Sequence, residues 1–473
     1  MNKIRTVISG VVVASIIVAS TNSASAHNLT KAQSIEAYTA NALEKYHIPG
    51  ASLFVQKDGK KLVEKSWGVS SDSKAITADT PFLIGSLSKS VTALAIMQLA
   101  QDGRINLNEP ISKYIPDFQY DSPNNTPILV RHLLEHTSGI SALDGLNVTD
   151  RNYSADGGIK QAVNALDGAR LKSNPGDTYT YTSANYLLLG EIIESTSGKT
   201  YADFVDSRIF TPLDMHKSSA NQKATAQSGL VPGFSSWFGQ AVKVPSFYDN
   251  AGAPYGYIAS TTNDLIKFLD FMKNGNEAVL SKSGQDRLKE KPQKDRSYGF
   301  GWHYSKQDKY YYHGGATPEY RAEMFYYPDR DFYGVLLTNK YHSLEDQQVS
   351  DITSGVRAIA QGESPKELPR QSHLEVWSIW GAALVFIGLF GANLVTIFRK
   401  TMKRSNLRLF FGVVSLMFAI ILFMTVPYIF GAPWHSIFLF APDVGYGSAT
   451  LVIVAALNAV AYLFTSKILE TKR

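Results

Sequence analysis

The sequence predicts an α+β fold followed by three membrane-spanning helices, and three observations carry that expectation. Strand-like runs open and close the first part of the 473-residue chain. Helical patterns fill the stretch between them. Three uncharged apolar segments occupy the last quarter. Strands at both ends with helices between them pack most simply as one antiparallel sheet flanked by helices, with a mostly helical subdomain alongside.

The elements follow in chain order. Lys3 and Arg5 precede an apolar run over 7–18 that ends in Ala24-Ser25-Ala26. A basic start, a short apolar stretch and a small-x-small site predict a secretory signal peptide over 1–26, an uncleaved anchor being the alternative. A catalytic-sized domain is expected over 27–361. Within it, residues 50–70 read as two strands around Asp58-Gly59, a strong hairpin signal. Residues 86–101 read as a buried helix closed near Asp102-Gly103. From there to about 290 the pattern is mostly helical, with "ANYLLLGEIIESTSG" at 184–198 showing helical spacing and a glycine stop. Strand-like runs return as "YYYHGG", "AEMFYYP" and "YGVLLTN". Proline and charge over 362–375 mark a linker.

Residues 376–398, 409–431 and 444–466 carry no charge, and each is long enough to cross a hydrocarbon core of ~30 Å. Arg399, Lys400, Lys403, Arg404 and Arg408 lie between the first two. The positive-inside rule places that loop and the C-terminus in the cytoplasm, and the domain before it outside. Trp377, Trp380 and Trp434 fall where interfacial aromatics belong.

The formal charge of +5 comes from these membrane-flanking residues and the N-terminus, and the exported part is left net negative. That balance argues against a nucleic-acid partner. With no cysteine in the chain, disulfides, thiol catalysis and thiolate metal sites are excluded. The domain must hold together by its own core.

Three stretches bear on chemistry. In "IGSLSKS", Ser86 and Lys89 stand three apart, the spacing that places two residues on one helical face. A lysine at the start of an apolar helix is desolvated, which favours its neutral form and makes it a base beside a hydroxyl. Ser88 and Ser90 point elsewhere. A capping serine with an exposed lysine would share the same pattern. In "PGDTYTYTSANYLLLG", Tyr181 precedes a turn into an apolar helix. In "YYYHGGATPEY", two glycines after an aromatic strand allow something to approach the backbone closely and leave a strand edge able to offer an oxyanion N–H.

With the flanking phrases "HIPGASLFVQKDGK", "AQDGRINLNEPISKYIP", "LLEHTSGI", "TPLDM", "STTNDLIKFL", "YGFGW" and "LLTN" in this order, the chain resembles the serine β-lactamase/penicillin-binding superfamily. The likeness points in particular to its class C branch with related esterases and D-amino-acid peptidases. The plan of one such domain followed by three spans is similar to an FmtA-like, prodrug-peptidase-like membrane subgroup. The resemblance implies that Ser86 is the acylated nucleophile and that Lys89 and Tyr181 share its proton. It implies an oxyanion hole from the backbone N–H groups of Ser86 and Ala316, and a third motif at His313-Gly314-Gly315. Ser183 stands where the family usually has asparagine, and His313 where β-lactamases have lysine. Both departures weaken the case for efficient β-lactam hydrolysis.

The expected activity is therefore acyl-enzyme hydrolysis of D-amino-acid amides or esters, from cell-wall peptide, teichoic acid or a secreted peptide. No cofactor is expected. The expected partners are that substrate and membrane lipid. A penicillin-binding sensor or scaffold with slow turnover is the alternative, and a transporter with a hydrolase-like ectodomain has only Asn393, Asn458 and scattered hydroxyls as polar groups in its spans. His132-Leu133-Leu134-Glu135-His136 also matches the inverted zinc-protease pattern H-x-x-E-H, but Thr137-Ser138-Gly139 ends that helix at once, and no metal is expected.

Overall fold

The computed structural model describes residues 29–292, 296–399 and 406–467. The expected signal peptide, Lys400, Lys403, Arg404 and the residues after Lys467 lie outside the described residues.

The first helix, α1 (Lys31–Lys45), has no counterpart in the sequence expectation. Thr30 and Gln33 cap it reciprocally, satisfying two of the N–H groups that a helix start leaves free. The strands β1 (Gly50–Lys57) and β2 (Lys60–Gly68) form the predicted hairpin. Asp58 and Gly59 both take positive φ at its tip. Five later strands are β3 (Tyr298–Gly299), β4 (Trp302–Ser305), β5 (Tyr310–Thr317), β6 (Tyr320–Tyr327) and β7 (Phe332–Thr338). They join the hairpin in one seven-stranded sheet of order β2-β1-β7-β6-β5-β4-β3. Every pairing in it is antiparallel.

Both faces of the central strands β1, β6 and β7 are covered, which is why these strands are buried along nearly their whole length rather than at alternate positions. Leu53 and Val55 of β1 pack with Ile35 of α1 and with Val349, Ile352 and Val356 of a late helix (Gln347–Gln361). Phe54, between them in sequence, points to the other side and joins the main core with Leu87, Val91 and Leu94. That core is centred on α2 (Ser88–Gln101), which is buried from Ser88 to Leu99. A helix apolar on all sides belongs inside a protein.

The middle region is less purely helical than its pattern suggests. Ala259–Ser260 pairs with Phe82–Leu83, and a small sheet joins Phe234–Trp237, Gln240–Lys243 and Lys340–Tyr341. The helix Ser183–Ser197, here α3, ends at Gly198 with φ +71°, as the glycine stop predicts.

Three C-terminal helices are long and apolar enough to cross a membrane: α4 (Leu374–Phe398), α5 (Asn406–Phe430) and α7 (Pro442–Lys467). Each begins two or three residues before its expected edge. Between the last two lies a short helix, α6 (Trp434–Phe440), outside the three expected spans. Asn393 donates to Asn458 at 2.9 Å, and Asn458 donates in turn to the Phe386 carbonyl at 3.0 Å. These two polar groups join α4 to α7, so they act as the hydrogen-bonded glue common between apolar helices.

Candidate active site

Ser86 sits in a tight turn of 3-10 helix (Gly85–Leu87) that runs into α2. From Pro81 to Leu99 it is the one residue that is not buried. The other serines of "IGSLSKS" are occupied elsewhere: Ser88 Oγ donates to the Gly85 carbonyl at 2.8 Å, and Ser90 Oγ to the Gly301 carbonyl at 2.6 Å.

Lys89 has no solvent exposure. Its Nζ lies 3.0 Å from Ser86 Oγ, 3.3 Å from Ser183 Oγ and 2.7 Å from the Tyr255 carbonyl oxygen. A neutral amine suits this set. It can donate to the carbonyl and to Ser183, and it keeps a lone pair for the Ser86 hydroxyl. Burial pulls the Lys89 pKa down to about 7, against an opposing attraction from the Asp150 carboxylate. The capping-serine alternative, with Lys89 in solvent, does not describe this geometry.

Tyr181 is half-buried beside Ser86. Burial raises its pKa, and a hydrogen bond with Ser86 opposes the rise. Its side chain is therefore a phenol at neutral pH. The ring stands 4.4 Å from that of His136, which is buried under Tyr181, Tyr186 and Tyr298. His136 Nδ1 accepts from the Thr182 N–H and faces the Asn185 side-chain amide at 3.0 Å. It thereby fixes the turn between Tyr181 and α3.

The edge of β5 closes the site from the other side. Gly85 has φ +56°, and a Cβ there would collide with Ala316 N and the Gly315 backbone. A Cβ on Gly315 would collide with the Ile84 carbonyl and stand 2.8 Å from Ser86 N. Only glycines permit this approach of the Gly315–Ala316 backbone to the Gly85–Ser86 turn. His313 is buried and its pKa is pushed well below the usual value, by burial first and then by His303 and Lys89. Nδ1 lies 2.6 Å from the Gly314 carbonyl, which can only accept. That ring nitrogen carries the proton, and Nε2 accepts from Tyr298 Oη at 3.1 Å. His313 thus holds the strand edge as a neutral group. Gly314 leaves room for the Arg321 guanidinium, whose Nη1 donates to the Gly315 carbonyl at 3.2 Å.

Sequence reasoning missed two groups. The Tyr255 carbonyl is a backbone acceptor that no motif announces. Asp150 lines the Ser86 cavity, takes φ +57° and accepts from Tyr257 Oη at 2.7 Å. The partly buried Asp150 carboxylate favours the charged form of Lys89, against the larger effect of burial.

The H-x-x-E-H residues are spread over different tasks. The helix that carries them, Val130–Leu134, stops before Glu135 and His136. His132 Nδ1 accepts from the Leu129 N–H, Glu135 pairs with Arg296 at 2.9 Å, and His136 lies under the tyrosines. Among the described residues no group of three His, Asp or Glu side chains could hold a metal ion.

Three comparisons bear on this arrangement. The Beta-lactamase family model matches residues 35–353. Protein flp of Staphylococcus aureus (strain NCTC 8325 / PS 47) is 28% identical over 316 residues, which is 65% of this chain and 63% of flp's own length. The teichoic acid D-alanine hydrolase of Staphylococcus aureus (strain MRSA252) is 30% identical over 207 residues, covering 43% of this chain and 48% of that protein. Among solved structures, the octameric penicillin-binding protein homologue from Pyrococcus abyssi superposes with a TM-score of 0.61 at 25% identity, covering 74% of this chain and 81% of that one.

Proposed function

Since the chain belongs to the β-lactamase family, we propose that it is a serine hydrolase that works through an acyl-enzyme on Ser86. The observation that carries this reading is the buried Lys89 amine, held 3.0 Å from Ser86 Oγ with a pKa lowered to about 7.

In the proposed reaction Ser86 Oγ attacks an amide or ester carbonyl, and Lys89 takes the hydroxyl proton. The carbonyl oxygen becomes an oxyanion facing the N–H groups of Ser86 and Ala316. As the tetrahedral species collapses, the bond to the leaving group breaks. Tyr181, a phenol at this pH, gives that group its proton and is replenished from protonated Lys89. The net transfer is one proton from Ser86 to the leaving group. Water then attacks the acyl-enzyme with the same groups in reverse, releasing the acid and restoring Ser86.

The substrate class we infer is a D-amino-acid amide or ester. The teichoic acid D-alanine hydrolase among the relatives supports it. The neutral His313, in place of a fixed positive charge, and Ser183, in place of an amide, support weak or absent β-lactamase activity. We further place the domain outside the cell, with α4, α5 and α7 crossing the membrane and the C-terminus in the cytoplasm. The three apolar helices and the basic residues between the first two support that orientation.

A fluorophosphonate probe tests the assignment directly. It is expected to add one adduct to the full chain, at Ser86, and to leave Ser86→Ala unmodified. Labelling that persists in Ser86→Ala overturns the assignment. D-alanyl esters and benzylpenicillin, followed by intact mass, then rank the acyl groups that Ser86 accepts.

A further inference from the structure

Two cavities border Ser86, and they differ in what lines them. One has Phe430, Ile437 and Phe440, from the end of α5 and from α6, on its far wall. The other, of about 400 Å³, is the more polar and the more open to solvent. It holds a side chain that the reaction described above does not use. His303 of β4 lines it together with Ser86, Tyr181 and His313. The flanking Trp302 and Tyr304 are buried on the opposite face of the strand, so the alternation of β4 turns His303 toward the cavity.

The half-buried His303 ring is fixed by its neighbours' rings. It lies nearly parallel to the rings of Tyr181 and Tyr312, with planes 22° apart in each case and centroids at 6.1 and 5.2 Å. Tyr298 meets it edge-on at 4.7 Å. Among the described residues, no hydrogen bond within the protein engages either ring nitrogen. Burial, and then the nearby Lys89, lower its pKa to about 4, so the ring is neutral at working pH. A neutral imidazole offers one N–H and one lone pair. The charges around it are already matched. Arg321 pairs with Asp346 at 3.0 Å, and Glu323 pairs with Arg357 at 3.1 Å. An uncharged group that donates and accepts at once, a hydroxyl or a carboxamide, fits this set. A carboxylate would meet Glu323 and Asp346 on the cavity walls, with an already paired Arg321 to offset them.

A carbonyl attacked at Ser86 keeps its acyl group on the serine and loses its leaving group, which must pass to solvent. Tyr181, the proton donor to that group in the reading above, stacks on His303. We propose that the polar cavity is the leaving-group subsite, and that His303 selects an uncharged leaving group bearing a hydroxyl or amide over one that carries a carboxylate. In the step concerned, the bond from Ser86 Oγ to the carbonyl carbon forms and the ester or amide bond breaks. The departing oxygen or nitrogen takes its proton from Tyr181. His303 gains and loses no proton, and it holds the departing group by hydrogen bonds. The proposal rests on the serine-hydrolase reading of Ser86 and narrows its substrates. A polyol ester fits, as does an amide whose amine side continues as a peptide. A free C-terminal amino acid as leaving group does not.

The test uses the full chain in detergent with three esters of D-alanine: glycerol, methyl and D-lactate. All three deposit the same acyl group on Ser86, so kcat/KM, which reads the steps through acylation, compares the leaving groups. Each value is divided by that ester's rate of hydroxide hydrolysis to remove its intrinsic reactivity. The wild-type chain is expected to favour the glycerol ester about fivefold or more over the methyl ester, and about tenfold or more over the D-lactate ester. His303→Phe keeps a ring and removes both nitrogens, and is expected to bring the glycerol-to-methyl ratio to about one. His303→Gln restores a donor and an acceptor and is expected to recover part of that ratio, whereas a purely structural ring would be replaced better by phenylalanine. If His303→Phe does not fold, the wild-type preference between the glycerol and D-lactate esters decides. A wild-type chain without these preferences, or a glycerol-to-methyl ratio unchanged in His303→Phe, overturns the subsite and leaves the hydrolase reading intact. A fluorophosphonate adduct at Ser86 with no turnover of any of the three esters overturns the D-amino-acid ester reading and the subsite with it. No adduct on the wild-type chain overturns the serine-hydrolase reading itself.

Discussion

Lys89 Nζ lies 3.0 Å from Ser86 Oγ, in a position with no solvent exposure. The pair joins the one partly exposed residue of a buried segment to an amine that has lost its water. Lys89→Met is expected to slow acylation of Ser86 by a factor of about 10²–10⁴, the usual contribution of a positioned base. Lys89→Arg is not expected to rescue it, because a guanidinium keeps its proton at any working pH. Stopped-flow release of p-nitrophenol from the acetate ester checks both.

The pH dependence follows from the same amine. Lys89 must be neutral to accept a proton, and its pKa is lowered to about 7. The kcat/KM of an uncharged ester is therefore expected to fall as pH drops below about 7 and to level above it. The Asp150 carboxylate attracts the charged form and holds that pKa up. Asp150→Asn removes the attraction, lowers the Lys89 pKa further and moves the acid limb to lower pH. A limb that moves upward, or stays in place, would show that Asp150 does not act on Lys89.

The approach of β5 to the Ser86 turn depends on glycine. Gly315→Ala drives a methyl into the Ile84 carbonyl and against Ser86 N, both backbone groups that have little room to yield. The Ser86 and Ala316 N–H groups would separate. Loss of one oxyanion donor costs about 10²–10³ in kcat. Fluorophosphonate labelling rates for Gly315→Ala and Gly314→Ala compare the two sites, since Gly314 meets only the flexible end of Arg321. A larger loss is expected at Gly315.

His342 and Asp443 lie 101 residues apart and both are buried, with side chains 3% and 2% exposed. Removing one member of a buried pair leaves the other without its partner, at a cost on the order of 3–5 kcal/mol. Asp443→Ala is accordingly expected to loosen the helices from the domain. It should lower the melting temperature of the full chain in detergent and speed proteolysis within 362–373. An unchanged melting temperature would show that the pair does not hold the two parts together.

Much of this arrangement is legible along the chain because its causes are local. The Asp58-Gly59 tip fixes a hairpin whatever surrounds it. An i, i+3 separation brings Lys89 to Ser86 even though Ser86 stands in a 3-10 turn just before α2. Helix α1 escaped because its apolar positions are few and its burial comes from the sheet beneath it. The small strands of the middle region escaped because two- to four-residue strands have no periodicity to read.

By itself, then, the sequence determined the order of strands, helices and apolar segments, the Ser86–Lys89 pair, and the glycines that let β5 come close. These depend on dihedral preferences and spacing within a few residues. The tertiary structure alone decided that Tyr255 offers its carbonyl to Lys89, that Asp150 acts on the same amine, and that His136 packs beneath Tyr181. It alone placed Ile437 and Phe440 on the wall of the Ser86 cavity through the Asp443–His342 contact. Each of those relations joins segments dozens to hundreds of residues apart, and the packing of the buried core sets their distance, which no local pattern records.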